Sequence, residues 1–200
     1  MYRGSGPRIV PLIVAVLVIA FVIAGLVMVG RMVFSGDKQS NGDKKNGPTL
    51  VDSVLNQDES RSVRWTIRGP IVANEKFKSY QITVSPSERT FVTYSGYLDD
   101  VIDTKKYSNN KQAYEQFVYA LNNANITATH AAKDADFRGV CATEGIAYMF
   151  ETLNNRSADQ SIWSTSCRDS KGTMAADPLK IHALFVNQIP EFKSQFNEIY

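Results

Sequence analysis

The chain contains two cysteines, Cys141 and Cys167, and they are the residues whose type and spacing best fit a defined chemistry. They flank a predicted hairpin, so their Cα atoms could come within the roughly 4.4–6.8 Å that a disulfide requires. Closing a loop of about 27 residues would stabilise the fold by on the order of 3.5 kcal/mol in the chain-entropy model. The alternative is a pair of buried free thiols, as in a reducing cytosol. We predict the disulfide, and no catalytic thiol, because neither histidine has a sequence reason to lie beside a cysteine as a base.

The histidines and the main acidic group do not have the spacing of a metal site. His130 lies in a polar loop and His182 on a predicted helix, without cysteines or carboxylates at zinc-site spacing. Asp99, Asp100 and Asp103 lack the alternating oxygen ligands and the glycine of a calcium loop, and neighbouring lysines offset their charge. We therefore expect solvated or edge-of-core histidines, a solvated acidic turn, and neither a metal nor another cofactor.

No catalytic or nucleotide-binding motif is present in the sequence. The nucleophile elbow, the phosphate-binding loop and the dinucleotide fingerprint are all missing. Tyrosines between residues 94 and 119 are numerous enough to line a binding face, although tyrosine is also common in sheet and helix packing. These tyrosines are Tyr94, Tyr97, Tyr107, Tyr114 and Tyr119.

The first structural element that the sequence predicts is an apolar N-terminal stretch. Residues 9–30 contain no charged or amide side chain. At helical rise this stretch is roughly 33 Å long, enough to cross a hydrocarbon core of about 30 Å. A helix is the form that satisfies its backbone internally. We predict a transmembrane helix over residues 9–34, in contact with the lipid bilayer, after a short tail of residues 1–8.

A cleaved signal peptide and a pilin-like stem are the alternatives for this stretch. A cleaved signal has an apolar core of about 7–15 residues followed by a small-residue cleavage site. Here the core is longer and runs on to Arg31 without such a site. Pilins usually carry a glutamate near the start of the mature apolar helix, where this chain has Pro11. An uncleaved single-pass anchor fits best.

The charges around the anchor do not settle its orientation. Lys and Arg favour the cytoplasmic side. Arg3 and Arg8 precede the anchor, whereas Arg31 and three lysines follow it, so counting alone weakly favours a globular part inside the cell. A short polar tail translocates less often than it stays, however, and paired cysteines favour an oxidising compartment. We predict an inside N-terminus and an extracytoplasmic C-terminal domain.

The remaining charge is nearly balanced. Residues 1–50 carry six Lys or Arg and two Asp, giving +4, whereas residues 51–200 carry sixteen Lys or Arg and eighteen Asp or Glu, giving −2. The globular part therefore lacks a general electrostatic attraction to nucleic acid, which we do not expect as a partner. Residues 35–48 are polar and rich in Gly, Ser and Asn, and predict a flexible linker. Residues 49–200 then form one domain with one core.

Alternating apolar and polar residues predict an antiparallel sheet in this domain. Three strands with short turns form a meander, and a second hairpin follows later in the chain. The predicted strands are residues 62–68, 78–84, 88–94, 146–153 and 161–167, with a polar turn at 154–160.

Apolar stripes and capping residues predict helices that pack on one face of that sheet. The predicted helices cover residues 110–122, start at Pro178 and start again at Pro190. Residues 49–55 are a lead-in segment whose state the pattern does not settle. The expected fold class is α+β, an antiparallel sheet with helices packed on one face.

The C-terminal third of the chain carries a pattern of paired cysteines, a hairpin tryptophan and a helix-breaking proline. The pattern is Cys141-Ala…Gly145…Tyr148, Trp163-Ser-Thr-Ser-Cys167, Gly172-Thr173 and Leu184-Phe185…Gln188-Ile189-Pro190. It resembles small, single-pass, membrane-anchored proteins of candidate-phylum (Saccharibacteria-like) bacteria with reduced genomes. The resemblance spans residues 141–192, about a quarter of the chain. It implies a bacterial cell-surface setting and no particular activity.

The sequence therefore favours a membrane-tethered, extracytoplasmic, non-enzymatic binding domain. Its partner would be another envelope protein, a cell-wall polymer or a host surface. One alternative is an accessory subunit of a membrane or cell-envelope complex, although Gly25 and Gly30 do not have the close-packing G-x-x-x-G spacing. Another is an envelope enzyme with a site assembled from scattered carboxylates and tyrosines. A deep pocket with convergent ionisable groups would favour the enzyme, and a flat aromatic face the binding domain.

Overall fold

Six strands form one antiparallel sheet. They are β1 (Arg61–Arg68), β2 (Lys78–Val84), β3 (Glu88–Ser95), β4 (Asp100–Ser108), β5 (Ala147–Asn154) and β6 (Ser157–Thr165). The computed structural model describes residues 48–134, 136–141, 145–168 and 170–194. The strand order is β4-β3-β2-β1-β5-β6, so the first four strands form a meander and the β5–β6 hairpin extends the sheet on the other side of β1.

Side-chain caps fix the starts of the helices. The helices are α1 (Leu50–Leu55), α2 (Lys111–Asn123) and α3 (Pro178–Val186). Thr49 and Asp52 form a capping box at α1, and the Asn110 side chain accepts a backbone hydrogen bond at α2. Asp177 caps α3, and Pro178 occupies a first-turn position where its missing N–H costs nothing. The predicted starts of α2 and α3 are confirmed.

The helices pack on one side of the sheet, which we call the helix face. Alternate residues of β1 point to this face, and Trp65 lies opposite Ile82 of β2 and Phe150 of β5. The Trp65 ring stacks on Tyr148 and on Phe185, with centroid distances of 5.9 and 5.8 Å. The helices add the buried side chains of Tyr114, Phe117, Val118, Leu121, Ile181 and Phe185 to this core.

The opposite side of the sheet, which we call the open face, is mainly polar. Its side chains contact one another across the strands. Arg64 Nε donates to Glu151 Oε2 at 2.6 Å, and the Tyr94 hydroxyl donates to Gln81 Oε1 at 3.1 Å. Because one face of the sheet is apolar and the other polar, the residues along each half-buried strand alternate in polarity. The strands were predicted from this alternation.

The two edges of the sheet differ. Along β6, the Met174 N–H donates to the Trp163 carbonyl at 2.9 Å, and the Trp163 N–H donates to Thr173 Oγ1 at 3.1 Å. Thr173 and Met174 therefore cover the edge of β6 at Trp163. The His130 N–H donates to the Thr173 carbonyl, so the segment around Thr129 and His130 pairs with this covering segment. At the other edge, β4 pairs with β3 alone among the described residues.

The sequence did not predict β4. The segment DVIDTKKYS lacks apolar alternation because an edge strand exposed along most of its length has no buried face to specify. Asp100 and Asp103 lie in this strand, so their interpretation as part of a solvated turn was wrong. Asp99 does lie in the turn before it.

The second hairpin is tighter than predicted. Its turn consists of Asn155 and Arg156, not of residues 154–160, and both have positive φ (48° and 70°). A two-residue turn with both φ positive matches the right-handed twist of the flanking strands. The strand β6 therefore begins at Ser157 and includes the charged Asp159, which the sequence placed in a loop.

The predicted membrane segment, residues 9–34, and nearly all of the predicted linker lie outside the described residues, as does most of the helix predicted after Pro190. No helix in the described part of the chain is long and apolar enough to cross a bilayer.

Candidate ligand-binding cleft

The two cysteines come together at the end of the sheet where β5 begins and β6 ends. Cys141 and Cys167 lie at disulfide-bonding distance, with Cα atoms 5.8 Å apart. Gly145 lies against both of them with φ +148°, and a Cβ atom at this position would stand 2.7 Å from Cys167 Sγ and 3.0 Å from Cys141 Sγ. Glycine is therefore required here both by its backbone conformation and by the space that the sulfurs occupy.

An apolar cleft of about 450 Å³ opens beside Cys141 at this end of the sheet. Its walls come from the ends of β1 and β5, the β1–β2 connection, the β3–β4 turn and the segment that leads into Cys141. The apolar lining side chains are Ile71, Phe77, Tyr97, Phe137, Val140 and Ala147. The volume is in the range of about 300–1,000 Å³ that is usual for ligand sites.

Phe77 and Tyr97 form a rigid aromatic wall of this cleft. Their rings stack with centroids 4.1 Å apart. The Tyr97 hydroxyl accepts a hydrogen bond from the Val72 N–H at 3.0 Å and donates to the Val72 carbonyl at 2.8 Å. The Tyr97 N–H donates to Asn74 Oδ1 at 2.9 Å. These bonds hold the ring in place before any ligand arrives, which reduces the entropy cost of binding.

The two guanidinium groups of the cleft are each engaged by a carboxylate. Arg68 Cζ lies 4.9 Å from the centroid of the Phe77 ring, and its Nη1 lies 3.1 Å from Asp99 Oδ1. Arg138 pairs with Asp136, and hydrogen bonds from Arg138 hold the pKa of that carboxyl below its usual value. With both cations paired, the cleft favours apolar groups over a multiply charged anion.

Exposed apolar side chains also lie at this end of the sheet, in the β1–β2 connection, the β3–β4 turn, the start of β4 and just before β5, and we call them the apolar rim. Its members are Ile71, Val72, Leu98, Val101, Ile102 and Ile146. Leu98, in the β3–β4 turn, is 88% exposed. A smaller apolar cleft of about 320 Å³ lies on the other side of the β1–β2 connection and reaches Val72 and Ile146. Clustered exposed apolar groups of this kind mark interaction surfaces, whereas single ones are ordinary.

Trp163 is a buried packing residue, as expected for a hairpin tryptophan, and it does not line the cleft. It is 5% exposed, and Gly172 packs against its ring and backbone so closely that a side chain at Gly172 would collide with both. Its Nε1–H has no hydrogen-bond partner among the described residues.

The two histidines have different surroundings in the fold. His130 is exposed, and its backbone N–H takes part in the cover over β6. His182 packs beside the rings of Tyr80 and Phe192, and burial lowers its pKa. In the described part of the chain, no group of three His, Cys, Asp or Glu side chains could hold a metal ion.

The tyrosines noted in the sequence do not form one binding face. Tyr97 lines the cleft, but Tyr114 is fully buried in the core, where burial raises the pKa of its hydroxyl well above the usual value. Tyr94 lies on the open face, and Tyr119 is exposed on α2. Sequence reasoning missed the rest of the cleft. The available signal was an apolar pair, Ile71-Val72, standing in a connection outside any predicted strand.

No protein-family model matches the chain, and no curated protein matches it.

Proposed function

We propose that the protein is a membrane-tethered, extracytoplasmic, non-enzymatic binding domain that takes apolar groups of an envelope or cell-surface partner into the cleft beside Cys141. One observation carries this proposal: the apolar cleft and its rim are concentrated at one end of the sheet. Of the ten large hydrophobic side chains exposed in the described residues, six belong to the rim and a seventh, Tyr97, to the aromatic wall.

The described part of the chain begins at the end of the sheet away from the cleft. The Pro48 carbonyl accepts a hydrogen bond from Gln160 Nε2 at 3.2 Å, and Ser53 of α1 contacts Asp159, both near the start of β6. The cleft lies beyond the other end of the strands, and an eight-residue strand is about 26 Å long. Pro48 therefore lies toward the end of the strands remote from the cleft.

The cysteine pair and the apolar N-terminal stretch support the location. A disulfide between Cys141 and Cys167 persists in an oxidising compartment. Residues 9–30 have the length and composition of a bilayer span. The resemblance to membrane-anchored proteins of candidate-phylum bacteria agrees with a bacterial cell surface.

An accessory subunit of a membrane or envelope complex is the second candidate. The apolar rim favours it, because a permanent subunit contact also needs exposed apolar surface. An enzyme has less support, because the charged side chains among the described residues that line the cleft are Arg68 and Arg138, and a guanidinium stays protonated near neutral pH.

A site-specific photo-crosslinker in the full chain, expressed in cells, tests the binding role. It would replace Ile71, which lines the cleft, or Leu179, an exposed control on α3. We expect adducts with a partner of defined mass from position 71 and none from position 179. Equal adduct patterns from both positions, or no adduct from position 71, would contradict the proposal. An adduct that survives purification as a stoichiometric complex would favour the accessory subunit.

A further inference from the structure

Two walls of the apolar cleft are held in place in different ways. Phe77 and Tyr97 belong to the sheet, because Phe77 directly precedes β2 and Tyr97 lies in the turn after β3. The pairing of these strands fixes the aromatic wall, together with the hydrogen bonds between Tyr97 and Val72. The second wall is a turn of residues 136–141, which we call the cysteine turn, and residues 137–141 all line the cleft. The cysteine turn belongs to no helix or strand.

The hydrogen bonds of the cysteine turn stay within it in the described part of the chain. The Val140 N–H donates to the Phe137 carbonyl at 3.3 Å. The Arg138 N–H donates to Asp136 Oδ1 at 2.8 Å, and the Arg138 guanidinium pairs with the same carboxylate. These bonds shape the turn, but none of them attaches it to a strand. Its attachment to the sheet therefore depends on apolar packing and on Cys141.

Cys141 ends the cysteine turn and lies beside Cys167, which is fixed to the sheet. The two Cα atoms are 5.8 Å apart. The Cys167 N–H donates to Thr165 Oγ1 at 3.1 Å, at the end of β6, and the neighbouring Ser166 N–H donates to the Ile146 carbonyl at 3.0 Å. Both cysteines are half-buried and Cys141 lines the cleft, so a small thiol from solvent can reach the pair.

We propose that oxidation of the cysteine pair completes the cleft, and that reduction releases the cysteine turn and weakens the binding of apolar groups. This inference rests on the proposed binding function. The bond between Cys141 and Cys167 holds the turn against the sheet before a ligand arrives. Once that bond is broken, a ligand must order the turn as it binds, and the loss of conformational entropy weakens binding. Binding then follows the redox state of the compartment, because disulfides persist outside the cytoplasm and are reduced within it.

Reduction proceeds by thiol–disulfide exchange with a dithiol. One thiolate of the dithiol attacks a cysteine sulfur, and the Sγ–Sγ bond breaks as a mixed disulfide forms. The other thiolate of the dithiol then attacks the dithiol's own sulfur in that mixed disulfide and releases the attached cysteine. The dithiol becomes a cyclic disulfide. Two electrons and two protons have passed to Cys141 and Cys167, which end as thiols.

Trypsin cleavage after Arg138 tests whether the cysteine turn is released, because a protease cuts a segment that opens locally. Arg156 is the matched control. It lies in the turn between β5 and β6, whose pairing holds it independently of the cysteines. In the full chain in detergent micelles, we expect cleavage after Arg138 to be about tenfold faster in the Cys141→Ser/Cys167→Ser double variant than in the oxidised parent, and cleavage after Arg156 to be unchanged.

The parent protein, reduced with dithiothreitol and freed of it by gel filtration before trypsin is added, should be cleaved like the double variant. Mass spectrometry would quantify both cuts, and thiol titration under denaturing conditions would establish the redox state. Equal cleavage after Arg138 in the oxidised and reduced proteins would overturn the inference, as would free thiols in a parent purified without reductant. Faster cleavage after both Arg138 and Arg156 would also overturn it, because the whole domain would then be opening.

The photo-crosslinker at position 71 measures the effect on binding in cells. We expect the adduct yield, relative to the amount of protein, to fall about tenfold in the double variant. An undiminished yield would overturn this inference and leave the proposed function intact. No adduct from the oxidised parent would contradict the proposed function and with it the binding part of the inference. The trypsin comparison needs no ligand and still decides whether the cysteine pair holds the turn.

Discussion

Arg61 and Asp159 form an ion pair, with Nη1 2.8 Å from Oδ2, that joins the first strand of the sheet to its last. The Arg61 side chain is buried, and its Nη2 also donates to the Ser53 carbonyl at 3.1 Å. Asp159 accepts further hydrogen bonds from Ser53 and Thr152. This network fastens α1, the point at which the chain enters the domain, to the end of the sheet remote from the cleft.

Asp159→Asn should destabilise the domain by about 1–3 kcal/mol, because it leaves the buried Arg61 guanidinium without its counter-charge. Chemical denaturation would measure the change. Glu88→Gln is the control, since it breaks an exposed pair with Lys106 at 3.3 Å and should cost less than about 1 kcal/mol. Equal losses from both substitutions would contradict the assigned role of the network.

The same network should make stability depend on acid pH. Burial alone would raise the pKa of Asp159, but the hydrogen bonds from Thr152, Arg61 and Ser53 and the charge of Arg61 outweigh it, and the pKa is lowered. The unfolded state therefore binds the proton first, and the stabilisation is present above the unfolded pKa of about 3.8. It is lost as pH falls through the folded pKa. In unfolding titrations, the stability difference between the parent and Asp159→Asn should shrink below about pH 4; a constant difference would contradict this assignment.

Gly145→Ala should hinder pairing of the cysteines. The new Cβ would stand 2.7 Å from Cys167 Sγ at a φ of +148°. We expect more free thiol in the purified variant by titration under denaturing conditions, together with a lower melting temperature. The control, Gly139→Ala, also has positive φ (+72°) but nothing within 4 Å, so its thiol content should stay at the parental value. Equal thiol content in all three proteins would refute the steric argument.

Cys141 and Cys167 should resist a membrane-impermeant maleimide in intact cells until the cells are treated with reductant and mild denaturant. Labelling that then appears without lysis is expected from an oxidised pair outside the membrane. Labelling that requires lysis but no reductant would place free thiols in the cytoplasm. That result would contradict both the predicted disulfide and the predicted extracytoplasmic location.

The sequence predicted the parts of this fold that have one buried face. The stripe of α2 is an example: the i, i+3, i+4, i+7 spacing of Tyr114, Phe117, Val118 and Leu121 predicts a packing face, and all four are buried. The capping box of α1 also has a local signal in the sequence, Thr49 followed three residues later by Asp52, although the apolar pattern of residues 49–55 does not by itself indicate a helix.

The cleft could not be predicted in the same way, because separate segments of the chain build it. Phe77, Tyr97 and Phe137 are well separated in the sequence. No local pattern around any of them indicates that they line one cleft. Only the pairing of the strands brings their connections to one end of the sheet. The edge strand β4 was not predicted, because its mostly exposed residues lack the apolar–polar alternation by which strands are recognised.

The cover over β6 limits how far the molecule can assemble. Strand addition that could continue at both edges would build an open-ended filament, as in cross-β fibrils. Met174 and Thr173 occupy the main-chain hydrogen-bonding groups of Trp163 on that side, so an incoming strand cannot pair with β6 at this residue.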